Sequence, residues 1–513
     1  MLAKAQNSWS LFEAAHLLNR AGFGGSPSEI RDFHALGRSQ AVASLLAPTE
    51  TLDTFPLPAW NSKEQQHEDR AAFHEQRRKQ SDPKLTPEEA DIARRQAHQE
   101  ILRENQRRAL EAQGWWFNRM LTTRAPLREK MTLFWHDHFA TSYQKVRLPT
   151  LLIRQNELFR RNAFGSFQEL TQEVLVDPAM MLYLDTQDSK KSKPNENFPR
   201  EMMELFTLGE GNYTENDVSE AARAFTGYQI DRLDGTVTHT RRQWDDSEKT
   251  IFGKTGPFTG KDVISLIFEK KEPARFLSRK LWEFFVSESP SGSTLESLAD
   301  TFHQADFKIE PLLREIFLSR EFYADASIRS QIKSPIVYLV GLLKQLEITR
   351  PPGGFPIQGQ QQLGQVLFMP PNVAGWDWGQ AWINTNTLLS RYNLAGMLTK
   401  GSGNTSRAME RPRGEMRDMA DMGGMNEMGG TPKRSARGWQ GPDYEKIAPR
   451  PLRDDPAALV DSLIFRFFQS PVPDKARQSF IDYAIAKKGV IFTNKETAEL
   501  CHLILSTPYY QLC

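Results

Sequence analysis

The sequence predicts a mainly α protein: a large multi-helical body with one small β-hairpin and a flexible Met/Gly-rich insertion. Three patterns predict it. Apolar residues recur at helical spacing through most of the chain, and these stretches open repeatedly on a capping residue followed by proline. One segment, near Tyr228 to Phe252, instead alternates apolar and β-branched residues around Asp234-Gly235, a common hairpin turn pair. Between Lys400 and Pro456 the chain turns to Gly, Met, Arg and Pro with no apolar periodicity, the composition of a linker.

Taken in order, SLFEAAHLLNRAGFGG and the stretch that follows read as two short amphipathic helices joined at Gly22, Gly24 and Gly25, with Ser26 and Pro27 as cap and first helical residue. Residues from Trp60 to Lys84 are charged and poor in aliphatics, which predicts an exposed, mobile insertion. Thr86, Pro87 and Glu89 make a strong helix start with a capping box, and a long helix to about Leu121 follows. Pro126 opens a helix carrying LREKMTLFWHDHF, and Pro149 opens another. Asp177-Pro178 and Pro199 repeat the pattern, and helices resume at Lys261 to Ile267, Pro273 to Val286, Leu295 to Ala305 and Pro335 to Leu346. The division expected is a main body over 1–399 with its charged insertion near 60–84, a linker over 400–456, and C-terminal helices over 457–513 that dock back on the body. In that last part Leu459, Leu463, Ile464, Phe467 and Phe468 rebuild an apolar helical face.

Composition narrows the partners. The chain of 513 residues carries 65 basic and 64 acidic side chains, so no net field draws it to nucleic acid or to an anionic membrane. No apolar run is long enough for a membrane span, and the first ten residues lack the apolar core of a signal peptide. Cys501 and Cys513 are the only cysteines, which rules out a disulfide framework and a cysteine zinc knuckle and leaves either one bridge or two free thiols.

Two blocks carry candidate chemistry. In WHDHF, His136 and His138 can meet one metal if the backbone is extended there; on a continuous helix they diverge by roughly 200° and only one faces a given site. In PNENFPREMMELFTLG, a helix opened by Pro199 puts Glu201 and Glu204 on one face with Arg200 beside them. That set suits a divalent cation, acid–base catalysis or a structural ion-pair network. Asn195 and Asn197 precede it as polar loop residues suited to capping or to ligand contact. Thr214 and Asp217 read as a capping box. Arg223 is a candidate partner for the upstream glutamates, and Asp245, Asp246 and Lys249 form a second polar cluster. PPNVAGWDWGQAW brings Asn372, Trp376, Trp378 and Trp382 together, aromatic and amide groups of the kind a sugar or peptide cleft uses, or else core filler. Met416, Met419, Met422, Met425 and Met428 recur every third residue, in a low-complexity linker or a thioether site for Cu(I). Serine-hydrolase elbow, Walker, zincin and Rossmann fingerprints do not occur.

HLLNRAGFG, MTLFWHDHFATS, DPAMMLYLD, PNENFPREMMELFTLGEGNYTENDVSEAARAFTGY and FMPPNVAGWDWGQAWINTNTLLSRYN resemble the bacterial family called domain of unknown function 1800. Two departures stand out: Trp244 to Thr250 lacks the His-Asp that members often carry before Gly-x-Lys-Thr, and Thr186 follows Asp185 where Asn is common. The resemblance implies a bacterial, often extracytoplasmic protein whose gene commonly neighbours one for a sulfatase-like family, domain of unknown function 1501. No settled activity comes with the resemblance, and the residues and the resemblance together leave two functions expected. One is an enzyme with a polar, divalent-metal-assisted site at His136, His138, Arg200, Glu201 and Glu204, with Asn195, Asn197, Asn372 and Trp376 binding an envelope-associated substrate for hydrolysis or modification. The other is a non-catalytic binding or assembly partner of the sulfatase-like protein.

Overall fold

Helix starts account for most of the architecture. The computed structural model describes residues 1–5, 9–47, 55–80, 86–401, 439, 441–487 and 492–513. The structure is 64% helical, and among the described residues the strands form only two small two-stranded antiparallel sheets. Ser10 with Glu13, Ser26 with Glu29 and Thr86 with Glu89 close capping boxes, each satisfying orphan amides that would otherwise fray the first turn. The long helix runs Pro87–Thr122, as its cap and proline require. The charged stretch before it is helical as well, Lys63–Gln80, and its Asp69 accepts from Arg108 of the long helix at 2.5 Å. The candidate mobile Met-rich run lies outside the described residues.

Two units divide the chain: 1–344 with 354–382 and 512–513, and 345–353 with 383–511. The first is organised around the helix Pro126–His138, in which every residue from Leu127 to His138 is buried. A helix enclosed on all sides must pair its own charges. Glu129 does so: Arg160 grips it through two bonds of 2.6 and 2.9 Å, Arg119 stands at 3.0 Å and the Trp116 indole donates at 3.1 Å. Trp135 of this helix stacks on Phe139 and Phe167, and Phe159 and Phe206 pack with them in the core.

The expected hairpin is present, Tyr228–Ile230 with Val237–His239, turning through Asp234-Gly235 with Gly235 at φ +68°. A second, unanticipated hairpin pairs Lys249–Ile251 with Lys254–Gly256. Its turn places Phe252 at φ +50° and Gly253 at φ +76°. Phe-Gly is not a usual turn signature, and tertiary contact makes up the difference: the Phe252 amide donates to Asp217 Oδ1 at 2.7 Å.

In the second unit, the helices Thr385–Lys400 and Asn494–Leu505 pack together, and His502 Nε2 bonds the Tyr392 carbonyl at 2.9 Å. Residues 444–453, assigned to the linker on composition, form two short helices, with the Tyr444 hydroxyl on the Thr399 carbonyl at 2.6 Å. Buried Tyr444, Ile447 and Arg453 give this stretch the packing that its apolar periodicity was too brief to announce. Both cysteines are free and buried. Among the described residues no helix is long and apolar enough to cross a membrane.

Candidate functional site

The helix Pro126–His138 is continuous, so its two histidines diverge. His136 lies against Trp116, Phe368 and Trp376, and its Nε2 accepts the Phe368 amide at 3.1 Å, which puts the ring proton on Nδ1. His138 lies among Phe134, Phe139, Phe167 and Phe206, and its Nε2 donates to the Phe206 carbonyl at 3.0 Å. Burial holds the His136 imidazole down at about 3, and burial together with Lys280 holds His138 well below the usual range. Both rings are neutral and 4% exposed or less. They do not share a site, and among the described residues no three His, Cys, Asp or Glu side chains are arranged to hold a metal.

Asp137, between them, is the residue that sequence reasoning missed. One carboxylate oxygen accepts the Trp376 amide at 2.8 Å and the other accepts the Trp378 indole at 3.0 Å, so WHDHF and PPNVAGWDW are fastened to each other across the fold. Gly375 makes the approach feasible: it sits at φ +87°, and a Cβ there would lie 2.4 Å from Asp137 Oδ1 and 2.7 Å from the Asp137 carbonyl. Burial pushes the Asp137 carboxyl up to about 7, against the opposing pull of its hydrogen bonds and of Lys280. Lys280 is itself lowered by burial and lies over the Phe276 ring. A Gly-Trp pair next to a second tryptophan was the signal available for this contact.

The carboxylate block lies at the surface. The helix Asn197–Glu201 runs into a π-helix, Met202–Thr207, in which the Leu208 amide reaches back to the Met203 carbonyl at 2.8 Å. π-turns are rare and gather at functional sites. Glu201 and Glu204 remain near enough for Glu204 to help burial raise the Glu201 carboxyl. Tyr213 donates to Glu204 at 2.6 Å and is pushed up to about 12 by burial and that carboxylate. Arg200 turns outward, holding Glu215 through two bonds of 2.8 Å and Glu196 at 3.2 Å.

Tyr213 in turn borders a surface cleft of about 640 Å³, which Asn212, Thr214, Asn216, Phe252 and Lys270 also line. Thr214 and Asp217 form the capping box expected of them. Arg223 binds Glu220 and, at 2.9 Å, Asp245, rather than the upstream glutamates. Lys249 donates to the carbonyls of Asp245 and Ser247 at 2.6 and 2.8 Å, while Asp246 pairs with Lys191.

The substrate candidates divide. Asn195 ties the PNEN loop to the turn at Asp185, donating to its carbonyl at 3.1 Å, and accepts the Asn197 amide at 3.0 Å. Asn372 is exposed and closes a local turn on the Ala374 amide at 2.9 Å. Trp376 and Trp382 fill the interior at 5% and 6% exposure. The residues brought together at the surface are therefore Arg200, Glu201, Glu204 and Tyr213, while His136, His138 and Trp376 belong to the core.

No curated protein and no solved structure matches the chain. A family match covers residues 16–512, nearly the whole chain. The chain belongs to the family described as protein of unknown function (DUF1800).

Proposed function

We propose that this protein works by binding, as a non-catalytic assembly partner of a sulfatase-like protein of the domain of unknown function 1501 kind, through the edge formed by Arg200, Glu201, Glu204 and Tyr213. The observation that supports this reading is the commitment of both histidines to the core. Each is neutral, enclosed by aromatic rings and hydrogen-bonded to backbone, which are the marks of a structural rather than a proton-transferring imidazole. The carboxylates, by contrast, are half-buried, and Glu204 accepts from Tyr213, which borders a surface cleft. Charge reversal at that edge tests it: co-expressed with the sulfatase-like neighbour, wild type co-purifies and E201K/E204K does not, while circular dichroism of the two is the same. Equal recovery of both would sink the assignment.

An acid–base enzyme at the same edge is the second reading, favoured by the raised Glu201 carboxyl beside Glu204. It also accommodates a divalent cation bridging the pair. Turnover of an ester, sulfate ester or glycoside that E204Q abolishes and H138Q does not would move the conclusion to catalysis. Calorimetric titration with Mg²⁺, Mn²⁺ and Zn²⁺ against wild type and E201Q/E204Q tests the cation.

A further inference from the structure

We propose that Arg20 and Lys130 form a buried binding site for a monatomic anion of the chloride class, independent of the Glu201–Glu204 edge and of what that edge does. Arg20 stands in the last turn of the helix Leu11–Ala21, and Lys130 belongs to the enclosed helix Pro126–His138. The two residues are 1% and 5% exposed. A charge taken out of water is costly unless it is paired. Arg119 and Arg160, in the same unit, follow that rule by sharing Glu129. Arg20 and Lys130 do not.

Arg20 spends Nη2 on the Ser327 carbonyl at 2.6 Å and the Ser330 hydroxyl at 2.9 Å. Its Nε and Nη1 are buried and have no acceptor among the described residues. A guanidinium does not shed its proton to escape this, and buried donors left over in a folded protein point to an ion or water that takes them. The Lys130 ammonium lies over the rings of Phe23 at 5.3 Å and Phe284 at 5.5 Å, which offsets part of its lost hydration. Burial and the charge of Arg20 lower the Lys130 amine to about 8, so the two cations are close enough to repel. Among the described residues no carboxylate favours either charge; Cys513 is the one group whose ionisation would favour both.

Charge and walls together select the occupant. Two neighbouring cations that offer only N–H donors call for a negative charge, and neither residue is exposed enough to admit a large one. A sulfate or phosphate would turn some of its oxygens toward Phe23 and Phe284, where they find no donor. A halide has no such oxygens and meets the two cations from one centre.

Bromide tests this in the full chain. Crystals soaked in sodium bromide should give an anomalous peak within hydrogen-bonding reach of Arg20 and Lys130. In solution, wild type should melt at a higher temperature in chloride than in gluconate of equal ionic strength. K130M should need about tenfold more chloride for the same effect, and R20M/K130M, with both charges removed, should show none. Should the variants fail to fold, the bromide peak and the two melting curves of wild type decide alone. No bromide peak, or equal melting in the two salts, would overturn the proposal. So would a chloride effect that survives in R20M/K130M, a sulfate bound where bromide is not, or electron density for a group of Cys513 seated between the two cations.

Discussion

Asp137 shows how much one side chain can hold. Its two oxygens and the glycine facing them join residues more than two hundred positions apart, and neither partner can be altered alone. Gly375→Ala meets two obstacles, a left-handed backbone and a Cβ inside the contact distance of Asp137. It should cost about 3 kcal/mol, read as a lower urea midpoint with an unchanged slope. A loss below about 0.5 kcal/mol would mean that the approach is looser than the distances state. The sequence offered a route to His136 and His138 because His-x-His is a recognised ligand pattern. It offered little for Asp137, because the value of a buried carboxylate depends on which N–H groups arrive from elsewhere. Trp376 and Trp378 illustrate the same limit: adjacent in a motif and identical in type, one is core and the other surface.

At the level of elements, local signals did most of the work. Capping boxes at Thr86/Glu89 and Thr214/Asp217 and prolines at first helical turns were readable because their chemistry is complete within four residues. The π-helix Met202–Thr207 and the second hairpin were not, because each is imposed by neighbours. Asp217 joins the two kinds. Oδ2 caps its helix through the Thr214 amide and hydroxyl, while Oδ1 holds the strained Phe252 amide of the hairpin turn. Asp217→Ala should therefore cost more than a simple cap, about 2–3 kcal/mol rather than about 1. Hydrogen exchange should also reveal it locally, with the amides of 249–256 losing protection beyond those of the helix. A uniform loss confined to the helix start would show that the hairpin holds itself.

Across the whole first unit, buried titratable groups set opposing pH dependences. Asp137 keeps its proton up to about 7 when folded, against 3.8 ordinarily, so the stability it contributes is full below 3.8 and is lost as pH rises through about 7. Asp177, raised to about 6 by burial, acts in the same direction. His136 and His16, both lowered to about 3 by burial, contribute stability that is present above 6.5 and lost as pH falls through about 3. Between 3.8 and 6.5 the two trends run against each other. Wild type should show a shallow urea-midpoint profile there, and Asp137→Asn should steepen the decline toward acid by removing one opposing slope. An Asp137→Asn profile no steeper than wild type would rule this balance out. The broad helical class was evident from pattern alone, but the division into 1–344 with 354–382 and 345–353 with 383–511 was not, since the chain leaves its first unit and returns to it.

The bond between the Asp137 carboxylate and the Trp376 amide spans 239 residues, and its consequence belongs to the ribosome. At synthesis rates of about 5–20 residues per second, the helix Pro126–His138 waits roughly 12–48 s for its distant partners to emerge. Until then the Asp137 carboxylate, and the acceptor nitrogen of His136, have only water to bind. A nascent chain stalled near residue 344 should therefore stay sensitive to protease around Trp135, and one stalled with residue 382 clear of the exit tunnel should not.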